Sequence, residues 1–269
     1  MFNMERYLVH DQKLEPWVKF IWHFQADSIN VHHKLLPMDS VDLLLNLSAE
    51  MIYETASRRI VAPRVHINSL RSEYSFIRQS GNVDIWGISF YSFGLFPFIN
   101  KPLKDIQNSI TDLHSLSVPL AEKLESAVSC GPIQHKIGCI KESLSSELHI
   151  SNKYLEWTAI ISDFLKTDES ISIHSFCKDH GINERTFERC VLNYTGYTPY
   201  NLTRIRRFQA ASNQLLFGKS NKLPEIAYDN NFTDQSHFVK EFRKFSGVPP
   251  RTFQHDKITV KENTNYIYI

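Results

Sequence analysis

Twelve histidines and four cysteines run through this chain of 269 residues, and metal binding is the first chemistry they would allow. A thiolate or imidazole ligand set needs short spacing, such as a C-x-x-C pair or an H-x-H followed by a carboxylate. Cys130, Cys139, Cys177 and Cys190 show no such spacing. His32 and His33 are adjacent, and on a strand adjacent side chains point to opposite faces. His23, Glu54 and His66 would have to converge from separate segments. There is no G-x-S-x-G elbow, phosphate-binding loop or dinucleotide fingerprint. No catalytic residue, metal or cofactor is assigned on this reading.

Charge points elsewhere. The net charge is +1, yet residues 171–257 carry 13 Lys+Arg against 8 Asp+Glu, a net +5, which leaves the remainder at −4. Such asymmetry suggests a polyanion partner for the C-terminal part, or else an excess on a solvated face. With 42% hydrophobic and 22% charged residues, the composition is that of an ordinary soluble globular protein. The opening MFNMERYLVHDQKLEPW lacks the apolar core of a signal peptide, and no apolar run approaches the roughly 18 residues of a membrane span. The cysteines are then expected to be reduced and mostly buried, in a cytoplasmic protein.

The elements that would position a polyanion site are written twice. Phe187, Val191, Tyr194, Gly196 and Pro199 align at one constant offset with Phe238, Phe242, Phe245, Gly247 and Pro250. Ile173, Cys177, Gly181 and Ile182 align with Leu223, Ala227, Asn231 and Phe232 at an offset one residue smaller, so the second copy has one extra residue in or just after its turn. Each copy predicts a short helix, a tight turn and a second helix, the helix-turn-helix arrangement. Gly181 and Asn231 suit a left-handed turn residue, Cys177 and Ala227 a close helix approach, and Phe187 and Phe238 buried anchors. Ser172 is an expected N-cap, Pro224 fits a first helical turn, and a break is expected at 168–170. TPYNLTRIRRFQAASNQLLF predicts a linker helix of about 19 residues, about 28 Å long. Tyr200, Leu202, Ile205 and Phe208 fall on or near one face of it.

Upstream, WVKFIWHF, KLLPMDSVDLLLNL, RVHINSL, YSFIRQ and VDIWGISFYSF predict antiparallel strands. Runs that are apolar on both faces favour a barrel or sandwich. Leu116, Leu120, Leu124 and Val128, then Ile133, Ile137, Ile140, Leu144 and Leu148, follow helical spacing, with SCGP between them. The fold class is therefore α+β: an N-terminal antiparallel β-barrel or sandwich over 1–112, a helical connector over 113–150, an all-α domain with two helix-turn-helix units over 151–257, and a tail over 258–269.

Residues 153–255, above all DQSHFVKEFRKFSGVPP, resemble the DNA-binding domain of the AraC/XylS family of bacterial transcription regulators. Asn231 replaces the family's usual glycine, and Val191 stands where an aromatic is common. LEPWVKFIWHF, LLPMDSVDLLLNL and VDIWGISFYSFGLFPFI are similar, less specifically, to the cupin-like domain of some of these regulators, and Gly94 fits its turn after a strand.

The resemblance implies double-stranded DNA as partner, with base contacts from the second helix of each unit. Carried over by position, these are Arg185, Glu188 and Arg189, then Gln235, Ser236, His237 and Lys240. Arg can pair with guanine, Gln with adenine, and Glu with cytosine N4. Glu188 could instead pair with Arg185, and His237 could touch phosphate or serve packing. Arg204, Arg206, Arg207, Arg243, Lys244 and Arg251 are candidates for phosphate contact or simple solvation. Trp22, Phe24, Trp86 and Phe90 are candidates to line an effector pocket, or are plain core. The N-terminal domain would bind a small-molecule effector, form a homodimer, or both; RNA polymerase is a partner if the protein activates. The alternative is a metal-dependent cupin-type enzyme with an accessory DNA-binding domain.

Overall fold

A computed structural model describes residues 3–255, except 56, 130, 168–170 and 219–221, together with 259–260 and 266–268. Cys130 and the expected break at 168–170 lie outside the described residues. The strands are β1 (Asn3–Tyr7), β2 (Val18–Leu35), β3 (Ser40–Asn46), β4 (Ile52–Glu54), β5 (Arg59–Val61), β6 (Val65–Asn68), β7 (Ser75–Tyr91), β8 (Ile110–Asp112), β9 (Thr259–Val260) and β10 (Tyr266–Tyr268). They form one antiparallel sheet in the order β8-β6-β3-β7-β2-β10-β9, with β1 also on β2 and the β4–β5 pair on β7. The tail thus adds β10 beside Leu35–His33 of β2.

YSFIRQ and VDIWGISFY, expected as two strands, are one. Gly81, with φ 98°, carries β7 through the apparent break, opposite a bulge between Ala26 and Ile29 of β2. A bulge bends and twists a ribbon without ending it. The long antiparallel β2–β7 pair has a core on each face. Trp22, Phe24, Leu44, Tyr53, Ile77, Val83 and Ile85 form one, built from strand and loop residues of the sheet domain. A core made from one face of a single sheet, with no helix over it, requires that sheet to curl around it. The alternate residues Ile21, Leu43, Leu45, Trp86, Ile88 and Phe90 face the helices.

Those helices are α1 (Phe96–Ile99), α2 (Val118–Ser129), α3 (Ile133–Ser146), α4 (Asn152–Lys166), α5 (Ile173–Asp179), α6 (Glu184–Thr195), α7 (Pro199–Phe217), α8 (Leu223–Asp229), α9 (Gln235–Ser246) and α10 (Pro250–His255). At Gly94 the chain leaves β7 so close to Trp17 that a Cβ would stand 2.1 Å from its carbonyl oxygen. Leu120, Leu124 and Val128 of α2, with Ile137, Ile140 and Leu144 of α3, bury the expected stripes against the sheet's outer face.

That outer core does not stop at the end of α3. It continues through Tyr154, Ile161 and Phe164 of α4 to Phe187 and Val191 of α6 and Leu202 of α7. Polar contacts accompany it: the Tyr154 hydroxyl donates to Phe93 O at 2.5 Å, and the Tyr197 hydroxyl lies 2.7 Å from Leu70 O and 2.8 Å from Asn108 Oδ1. A separate core runs from Ile205 to Phe253 and belongs to the second unit, with Leu36 packed against it.

Candidate nucleic-acid interface

The two units are built alike at the level of single hydrogen bonds. In the first, Ser172 Oγ caps α5 by accepting from Ser175 N at 3.1 Å, and the turn closes when Ile182 N donates to Cys177 O at 2.8 Å. In the second, Phe232 N donates to Ala227 O at 3.0 Å. Gly181 and Asn231 hold the same left-handed conformation, φ 63° and 56°. Asparagine is among the side chains that tolerate it, so the turn survives the change from glycine. Asn183 and Asp234 then cap α6 and α9 by accepting from Thr186 N and His237 N. The extra residue of the second copy is Thr233, placed after the turn and before the cap, and its N–H donates to His237 Nδ1 at 3.4 Å.

Buried anchors orient each second helix. Phe187 packs on Phe176 and on Phe164 of α4, and Phe238 on Phe232 and Phe242. Both are fully buried. With one face of α6 and of α9 held in this way, Arg185, Glu188 and Arg189 are exposed on α6, and Gln235, Ser236 and Lys240 on α9. Glu188 and Arg185 form no ion pair with each other among the described residues. His237 is half-buried, edge-on to Phe232, with Nδ1 used in the turn.

The basic candidates divide. Arg243, Lys244 and Arg251 are exposed. Arg206 is half-buried, and Arg207 is half-buried with Nη1 donating to Asn231 O at 3.2 Å, which braces the turn. Arg204 faces inward, unlike a phosphate contact. Its Nε and Nη2 donate to the two oxygens of Glu241 at 2.6 and 2.8 Å, a bidentate clamp between α7 and α9. The rings of Tyr200 and Phe245 flank the guanidinium at 5.5 and 5.1 Å. Burial raises the Glu241 carboxyl, but the Arg204 hydrogen bonds and charge outweigh it and hold the group below its ordinary value. Spacing did not reveal the clamp, although Glu241 is the single acid within QSHFVKEFRKFS. Tyr200, expected on or near one face of α7 with Leu202, Ile205 and Phe208, is 61% exposed, whereas those three are buried.

The four candidate effector-pocket residues are not gathered around one cavity. Trp22 and Phe24 lie in the inner core of the sheet, Trp86 and Phe90 in the outer one, because alternate residues of the paired strands face opposite ways. Trp22 closes over Gly87, and Trp86 stacks on His23 at 4.3 Å. His23, Glu54 and His66 do not converge either: they bond to Asp84, Arg78 and Tyr53 respectively. Among the described residues no helix is long and apolar enough to cross a membrane.

Residues 176–256 match a family model described as a helix-turn-helix domain, and residues 10–112 match one described as a domain of unknown function (DUF6597). No curated protein matches. Among solved structures, ToxT from Vibrio cholerae is 14% identical over 94% of this chain and 97% of that one, with a TM-score of 0.46. The C-terminal domain of AraT, a response regulator from Geobacillus stearothermophilus, is 21% identical over 40% of this chain and 89% of its own, at 0.34. An RmlC-like cupin protein from Desulfovibrio desulfuricans is 16% identical over 33% of this chain and 81% of its own, at 0.25. Fold and site together define a protein with a paired helix-turn-helix domain behind an antiparallel sheet domain. The helix-turn-helix model spans both units, from within α5 to the end of α10.

Proposed function

We propose that this protein binds double-stranded DNA sequence-specifically in the cytoplasm, with α6 and α9 entering successive major grooves. The observation that carries the reading is the repeated construction of the two units, down to the turn hydrogen bond and the left-handed residue, at the two ends of one helix of 19 residues. That helix spans about 28 Å, and one turn of B-DNA is about 34 Å. Arg185, Glu188 and Arg189 on α6 and Gln235, Ser236 and Lys240 on α9 are the proposed base readers. Arg206, Arg243, Lys244 and Arg251 are the proposed phosphate contacts. Neutralising phosphates would supply much of the affinity and make it fall with salt.

The sheet domain has the modulating role in this reading, through a small molecule or a second copy of the chain. Support comes from the outer core it shares with the first unit. RNA polymerase would be a further partner where the bound site favours activation. The reading is of a regulator and not of an enzyme.

Selection of bound sequences from a random duplex pool tests it. Two short conserved blocks should emerge, about ten base pairs between centres. Enrichment of a single block, or none, would overturn the two-groove arrangement.

A further inference from the structure

A groove of about 580 Å³ separates the sheet domain from α4. Trp17, Tyr91 and Phe93 line it from the sheet side, and Leu155, Ala159 and Leu165 from the helix. Leu155 is left 45% exposed there and Tyr91 39%. The size suits a small-molecule site, and domain boundaries are where such sites recur.

Two unsatisfied polar atoms lie within the groove's wall, covered from solvent. Trp17 Nε1 and Ser92 Oγ are buried and have no hydrogen-bond partner among the described residues, and both residues line this space. A buried donor without an acceptor is costly to keep. The charged groups on the lining balance: Lys19 pairs with Asp39 at 3.1 Å, and Glu15 and Lys166 contribute one charge of each sign. With no net charge, the walls favour an uncharged occupant.

The groove also touches the element that supports the first unit. α4 presents Leu155 and Ala159 to the groove, while its Phe164 lies 5.2 Å from Phe176 of α5 and 5.2 Å from Phe187 of α6. We infer that this groove is an effector site for an uncharged, ring-bearing, mainly apolar small molecule, and that the occupant acts on α6 through α4. The regulatory consequence rests on the DNA-binding reading above; the binding itself does not.

The test uses the full chain and Prodan, an uncharged naphthyl ketone whose emission moves to the blue in apolar surroundings. Saturable binding is expected. Ala159→Trp, at an exposed position whose new ring would fill the groove, should weaken it about tenfold or more. Saturating Prodan should change the affinity of the wild-type chain for its selected duplex and leave that of Ala159→Trp unchanged. No saturable binding, or binding that Ala159→Trp leaves intact, overturns the site. Binding blocked by Ala159→Trp with no effect on duplex affinity overturns the route through α4. Binding blocked in the same way, with neither protein binding DNA, upholds the groove and sinks the regulator reading instead.

Discussion

Arg185 occupies the first turn of α6, exposed and, among the described residues, without an ion pair. A guanidinium so placed can pair with a guanine edge. Arg185→Ala should therefore cost about 1–3 kcal/mol on the cognate duplex and relax the preference at one base pair. Titration against single-base variants of the selected site checks this. His66 is a residue of the opposite kind. It is completely buried in the sheet domain, with Nε2 2.9 Å from the Tyr53 hydroxyl and Nδ1 2.8 Å from Pro63 O, which suits a neutral ring. Burial pushes its pKa down to about 4, and His33 is lowered to about 4 by burial and by His32. Both folded values lie below the unfolded one, near 6.5. Between those values the unfolded chain binds the more protons, so stability is full above about pH 6.5 and declines as pH falls toward about 4. Unfolding free energies from urea titrations should drop across that window, by at most about 1.4 kcal/mol per pH unit for the buried His66. The slope should flatten in His66→Gln.

At the scale of elements, each turn depends on one left-handed residue. Asn231 tolerates φ 56°, but glycine does so without a Cβ. Asn231→Gly should stabilise the second unit by about 0.5 kcal/mol, a gain measurable as a raised thermal midpoint. The Arg204–Glu241 clamp fixes α9 against the linker helix, with both side chains 16% exposed. A double-mutant cycle with Arg204→Met and Glu241→Gln should return a coupling of about 1–3 kcal/mol in urea unfolding. The same variants separate a clamp from a phosphate contact. Loss of a phosphate contact would reduce the salt dependence of DNA binding by about one unit of slope, whereas loss of the clamp should weaken binding and leave that slope in place.

Across the whole molecule, the cores divide at α7. Leu202 closes the core shared by the sheet, α2, α3 and the first unit, and Ile205 opens the core of the second. Cooperative opening follows packed cores. Amide hydrogen exchange should therefore give α6 and β3 a common opening free energy, with α8 and α9 opening separately. Equal protection throughout would mean that α7 transmits cooperativity from one core to the other.

Much was legible because it is local. Periodicity placed α2, α3 and the four helices of the two units, and the offset between the copies located an extra residue that the structure identifies as Thr233. Turn and capping positions were readable too, since a left-handed residue or an N-cap is decided by a few neighbours along the chain. Contacts between residues far apart in sequence leave no periodic trace. The inward turn of Arg204, the division of Trp22 and Phe24 from Trp86 and Phe90, the continuity of β7 through Gly81 and the groove beside α4 each depend on which face of one element meets another. Two matched modules and the helix between them follow from neighbours along the chain; which basic side chains remain outside, and where the sheet domain leaves room for a ligand, follow only from packing between distant segments.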